Sequence, residues 1–114
     1  MVVEIGEKIH IMTRRKFEQD IRRHFVGTVL ASDGTVVRTE GYTFVFDTNK
    51  DDYIKRPEKR TRIFDLSDSG YIVNIIPKEA ILEKIIYIFT SERRLVVTDE
   101  KYFSLDIHEF GPMR

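Results

Sequence analysis

Phe25-Val26-Gly27-Thr28-Val29-Leu30-Ala31-Ser32-Asp33-Gly34-Thr35-Val36-Val37-Arg38 is the stretch on which the fold turns. Its β-branched and aromatic residues suit a pleated, half-buried surface. Asp33-Gly34 supplies the left-handed backbone pair of a two-residue hairpin loop, so the stretch reads as two antiparallel strands. The return strand passes Gly41 into Tyr42-Thr43-Phe44-Val45-Phe46. A glycine inside a β run marks a bulge or bend that lets a sheet curl.

Outward from this hairpin the apolar period stays near two, the spacing of residues on one face of a strand. Lys8 to Thr13 alternates; Asp47 to Asp52 breaks the pattern as a loop; Tyr53-Ile54 resumes it, and Pro57 confines that region to an edge or a connection. Thr61 to Leu66 reads as a strand, and Ser67 to Gly70 as a turn. Tyr71 to Ile76, the most apolar β segment, is expected near the sheet centre. Proline suits a first helical position, so one helical turn is expected over Pro77 to Leu82. Lys84 to Thr90, Arg94 to Thr98 and Tyr102 to Ile107 return to β character, with a turn at Ser91-Glu92-Arg93. The sum is a mainly β fold: a small antiparallel β-barrel or sandwich of about seven or eight short strands, with at most one or two short helical turns.

Residues 14–25 support two readings. Phe17, Ile21 and Phe25 recur at four-residue spacing and Thr13 can cap, which suits an amphipathic helix over Arg14 to His24. Arg14, Arg15 and Lys16 would then sit on the positive end of the helix dipole, so a hairpin turning near Glu18-Gln19-Asp20 is favoured.

A chain of 114 residues has room for one core, so residues 1–114 are expected to form a single domain. With 41% apolar residues, eight Phe and five Tyr, burial suffices for an ordered globule. Nineteen basic and nineteen acidic side chains cancel, so the overall positive field of many nucleic-acid binders is missing and any charge signal is local. The absence of cysteine removes disulfides, thiolate metal sites and a Cys nucleophile. Acids near Met1 where a secretory signal carries cations make the cytoplasm the default location, and no apolar run reaches the roughly 20 residues of a membrane span.

Phe25 to Gly34 resembles the second strand of Sm-like and SH3-like small barrels, in which a glycine lets the strand bend and an Asp-bearing turn follows. The resemblance covers about ten residues and is common among β proteins. It implies a small barrel and, through an open edge covered by a neighbour's strand, assembly into homo-oligomers. The base-contacting asparagine of Sm-like proteins has no counterpart after Asp33, nor does an Arg-Gly pair end a later strand.

Asp47-Thr48-Asn49-Lys50-Asp51-Asp52-Tyr53-Ile54-Lys55-Arg56-Pro57-Glu58 carries oxygen ligands at positions one, three, five and twelve of a calcium loop, making Asp47, Asn49, Asp51 and Glu58 weak metal candidates. Asp52 stands where that loop needs glycine, and β-type runs flank it instead of helices, so a polar turn is the expectation. His10, His24 and His108 are far apart and lack ligand spacing, which reads as structural histidine. The acid pairs Asp65 with Asp68 and Asp99 with Glu100 sit in turn-like surroundings, where carboxylates cap backbone amides. Ser67 and Ser69 lack a nucleophile elbow, and scattered glycines make no phosphate loop.

What remains is local positive charge. Arg14, Arg15, Arg22 and Arg23 flank the first hairpin, where a ladder setting Arg15 opposite Arg22 and Arg14 opposite Arg23 would need compensating negative charge. Lys55, Arg56, Lys59, Arg60 and Arg62 form a second cluster beside Tyr53 and Phe64, aromatics that can stack on bases or fill a core. The expected function is therefore a non-catalytic, self-assembling binding module, needing no cofactor, whose partner is anionic: RNA or an acidic protein surface. The alternative is a small hydrolase or metal-dependent enzyme using Asp47, Asn49, Asp51, Asp65 or Asp68.

Overall fold

The computed structural model describes residues 3–13, 22–68 and 70–107. Among these residues the protein is mainly β, with nine strands in two antiparallel sheets and one 3-10 turn. The strands are β1 (Lys8–Thr13), β2 (Arg23–Asp33), β3 (Val36–Asp47), β4 (Asp52–Lys55), β5 (Arg60–Asp65), β6 (Tyr71–Ile76), β7 (Ile86–Phe89), β8 (Leu95–Thr98) and β9 (Ser104–Asp106). Arg23, His24 and Phe25 belong to β2, which excludes a helix reaching His24. The rest of the helix-or-hairpin question, and the pairing of Arg14 and Arg15, lies outside the described residues.

The β2–β3 hairpin forms as its sequence dictates, with its loop one residue later than the Asp-Gly pair suggested. Asp33 pairs with Val36, leaving Gly34 and Thr35 as the loop, and Gly34 takes a positive φ of 59°. A single left-handed residue at the first loop position satisfies this connection, which is why Asp33 stays in the strand. Farther along, Gly27 and Gly41 face each other across the ladder. A Cβ on Gly41 would lie 1.8 Å from the Val26 carbonyl oxygen and 2.5 Å from the Gly27 Cα. Only two residues without side chains tolerate this approach; the ladder stays in register at Gly41, where a bulge or bend was expected, and its irregularity falls instead between Val29 and Ala31.

Twelve-residue β3 serves two partners on its outer side. Phe44–Asp47 pairs with β4 and Val36–Gly41 pairs with β5, the break at residues 56–59 falling on Pro57. The Arg56 amide still donates to the Thr43 carbonyl at 2.8 Å, so the interrupted edge keeps to its neighbour. β6 pairs with β1 at the opposite side of the sheet. This places the most apolar segment at an edge and corrects its expected central position. Its apolarity serves both faces, with Ile72 and Ile76 packed between the sheets and Tyr71 and Val73 inside the curl, while Ile75 stays exposed.

A short connection that includes Leu66, Ser67, Asp68 and Gly70 joins β5 to β6, the outer strands on the two sides of the sheet. The sheet thus rolls until this short connection spans its margins, but no ladder joins β5 to β6 among the described residues and the sheet is not closed into a barrel. A second sheet, β7-β8-β9, covers one face of the first. The connection to it makes a turn, with Ala80 N–H donating to the Pro77 carbonyl at 3.0 Å, and then a 3-10 turn at Leu82–Lys84, later than the helical turn expected from Pro77. Asp99 explains the delay, because its Oδ2 draws the Ile81 amide at 2.9 Å and holds Ile81 extended. Its Oδ1 accepts from the Lys101, Tyr102 and Phe103 amides. Burial alone would raise the carboxyl's pKa; these four donors outweigh it and hold the group well below the usual carboxylate range.

Two apolar clusters result. One, between the sheets, holds Val26, Phe44, Ile85, Tyr87 and Val97; the other, inside the curl, holds Ile9, Ile11, Phe25, Val29 and Val37. Among the described residues, no helix is long and apolar enough to cross a membrane.

Candidate functional site

Alternation along β1 and β2 sends His10 and His24 toward the second sheet, and a register that sets Met12 opposite His24 makes them diagonal neighbours. Their rings meet edge to face at 5.2 Å. Tyr87 on β7 reaches between them, its Oη 2.9 Å from His10 Nε2 and 2.7 Å from His24 Nδ1. Asn74 Nδ2 lies 3.3 Å from His10 Nδ1. Asn74 Nδ2 is a donor, so His10 Nδ1 accepts; His10 Nε2–H then donates to Tyr87, and the Tyr87 hydroxyl donates to His24 Nδ1. Every bond in this seam has one donor when both imidazoles are neutral. Burial lowers the pKa of His10 to about 4, and burial with the charges of His10 and Arg22 lowers that of His24 to about 3. Burial pushes the Tyr87 phenol well above its ordinary value. The expectation of unconnected structural histidines is corrected for this pair: the register joins two residues that sequence distance had separated. His108 lies outside the described residues.

The inner face of the curl differs. Where β1, β2, β3, β5 and β6 meet near Thr13 and Tyr71, it opens into a groove of about 590 Å³. Arg23 enters from β2, Arg60 and Arg62 from β5, and Arg56 from the break between β4 and β5. Opposed residues of antiparallel strands share a face, so Arg60 lies across from Gly41 and Arg62 across from Thr39. Thr39 Oγ1 donates to the Arg62 carbonyl at 3.0 Å and fixes that strand. Phe25, Phe64 and Tyr71 form an aromatic wall, Phe64 standing 5.3 Å from Phe25 and 5.5 Å from Tyr71. No Asp or Glu lines the groove among the described residues.

Thr43 also lines it. The residue is 8% exposed and its hydroxyl has no hydrogen-bond partner among the described residues. Leaving such a group unpaired costs roughly 1–3 kcal/mol.

The two cationic clusters are thus partly united. Arg23 of the first and Arg56, Arg60 and Arg62 of the second share the groove. Arg22 instead lies 5.0 Å from the Phe46 ring centre. Lys55 donates to the Glu83 carbonyl at 2.6 Å and covers the Tyr42 ring at 4.1 Å. Lys59 pairs with Glu40 at 3.5 Å and Glu83 at 3.9 Å. Tyr53, one of the two aromatics offered for base stacking, is committed between the sheets, stacked on Tyr87 at 4.6 Å; Phe64 remains in the groove. Arg14 and Arg15 lie outside the described residues.

The loop carboxylates are engaged in turns. Asp47 Oδ1 accepts from the Asn49 and Lys50 amides at 2.9 and 3.4 Å. β4 begins at Asp52, inside the supposed calcium loop, and pairs back on β3; Asp51 is exposed at the turn and Glu58 beyond β4. Asp65 Oδ1 accepts from the Ser67 side chain and amide and from the Thr35 hydroxyl, and these bonds lower its pKa. Asp68 Oδ1 caps Gly70 at 2.7 Å; Ser69 lies outside the described residues. No three His, Asp or Glu side chains gather as metal ligands do among the described residues.

Sequence reasoning missed Thr43, Tyr71 and Tyr87. Alternation assigns Thr43 and Val45 to one face and Phe44 to the other, so a face was legible, but its content required the register. Comparison of the chain with family models, curated proteins and solved structures finds no match.

Proposed function

We propose that this protein is a non-catalytic β module that binds an anionic partner in the inner groove of its curled sheet. The observation that carries the reading is the meeting of Arg23, Arg56, Arg60 and Arg62 in one groove with no acid on its wall among the described residues. Arginine keeps its charge across the physiological range and grips phosphate through two parallel N–H bonds. Four arginines lining one space repel one another, and an anion relieves that repulsion. The aromatic wall favours a phosphate ester bearing a planar ring, as in single-stranded RNA, over an acidic protein surface.

The close approach at Gly27, the register shift between Val29 and Ala31 and the hairpin loop after Asp33 are the features of this stretch compatible with the small-barrel resemblance. Self-association is the second part of the proposal. It is supported by exposed Ile63 and Ile75 on the outer strands β5 and β6, since an apolar edge invites strand addition. Sedimentation tests it, and a monomer at high micromolar concentration removes it.

Retention on heparin tests the anion reading. The wild type binds at low ionic strength and elutes as salt rises, and the Arg60→Ala/Arg62→Ala variant elutes earlier. Absence of retention in low salt overturns the proposal.

A further inference from the structure

We infer that the groove accepts a single nucleotide carrying a terminal diphosphate, with the phosphates among the arginines and the base on the aromatic wall. This rests on the anion-binding reading above and names its ligand class. A volume of about 590 Å³ is that of a small-ligand site and accommodates one nucleotide. Charge density selects within that class. Four arginine residues line this space, whereas each internal phosphate of a nucleic-acid strand brings a single negative charge. A lone phosphodiester would leave most of the cations unbalanced, while a terminal diphosphate concentrates about three negative charges on two adjacent groups.

Two further features fit the two ends of such a ligand. Phe64 and Tyr71 are half-buried rings 5.5 Å apart on the wall, giving one base a platform but not a row of bases. On the adjoining strand Thr43, whose backbone carbonyl accepts from the Arg56 amide at 2.8 Å, holds a buried hydroxyl that has no partner among the described residues. Rotation about χ1 between staggered positions presents that hydroxyl as a donor to a phosphate oxygen. The bound state thereby satisfies a group that the free protein leaves unpaired.

Titration calorimetry with ADP, inorganic pyrophosphate, adenosine and a 5′-hydroxyl RNA decamer, at low and moderate salt, tests the inference. ADP is expected to bind at least ten-fold more tightly than pyrophosphate, with adenosine undetectable and ADP affinity falling as salt rises. Thr43→Val is expected to weaken ADP binding about five-fold while leaving the melting temperature unchanged or raised, because it removes an unpaired hydroxyl and keeps the shape. A purely structural threonine would show the opposite pattern. Pyrophosphate binding as tightly as ADP, or decamer binding without ADP binding, overturns the diphosphonucleotide assignment and leaves the anion reading standing. No binding of any of these probes, together with no heparin retention, removes both. Unchanged ADP affinity in Thr43→Val overturns the hydroxyl's part.

Discussion

The two faces of the six-stranded sheet are built from alternate residues of the same strands, yet they solve opposite problems. His24 and Arg23 are neighbours in sequence, and both border the groove; His24 is 5% exposed and its Nδ1 is engaged in the neutral hydrogen-bonded seam under the second sheet, while Arg23 is exposed among like charges. Where a covering layer excludes water, polar groups persist only when paired and uncharged, and the Asn74–His10–Tyr87–His24 chain meets both conditions. Where the sheet curls without closing, water screens the guanidinium groups and charge can stay unpaired. Within one sheet, cover decides between a structural polar group and one available to a ligand.

The largest expected effect comes from disrupting the sheet that carries both faces. Gly41→Ala places a Cβ against fixed backbone of Val26 and Gly27, atoms that cannot rotate away. It should destabilise the fold by about 4 kcal/mol or more, or prevent folding. Chemical denaturation measures this, and a loss under about 1 kcal/mol would show that the strands do not meet closely there.

Acid breaks the covered face next. His10 and His24 hold native pKa values of about 4 and about 3 against an unfolded value of 6.5. Their folded values are depressed, so the unfolded chain binds more protons below pH 6.5. The contribution is complete above that pH and is lost as pH falls from 6.5 toward 4 and 3. At about 1.4 kcal/mol per pH unit and histidine, the loss at pH 4.5 is about 5 kcal/mol, comparable to a small domain's whole stability. The depressed Asp99 carboxyl acts in a lower window, below about pH 4, where protonation releases its four amides. Thermal melts from pH 7 to 4 check the histidine term, which a flat profile between pH 6.5 and 4.5 would refute.

Tyr87→Phe sharpens the comparison, because it empties the seam of its central hydroxyl and touches the groove lining only through His24. His10 Nε2 and His24 Nδ1 lose their shared partner, at about 2–3 kcal/mol. Heparin retention should not change under conditions where the variant is folded; a parallel loss of retention would mean that the faces are coupled.

The smallest effect separates cations by their company. Lys59 is an exposed residue paired with Glu40 and Glu83, so Lys59→Ala should alter stability by no more than about 0.5 kcal/mol. It should also move heparin elution less than Arg62→Ala does, although both residues belong to one run of sequence. Equal shifts would place the binding surface on the whole cationic run and not in the groove.

Period-two alternation over Lys8–Thr13, the Val26–Arg38 hairpin and the glycines at 27 and 41 were legible because side-chain direction in a strand and backbone freedom at glycine are local properties. They determined a mainly β chain. Which strands lie side by side was not local. The register set His10 beside His24, the edge position of β6, the convergence of Arg23 with Arg60 and Arg62, and the split of Lys55 and Lys59 from their arginine neighbours. Each follows from pairing residues distant in the chain, a choice that depends on burying both faces at once and that no short window of sequence contains.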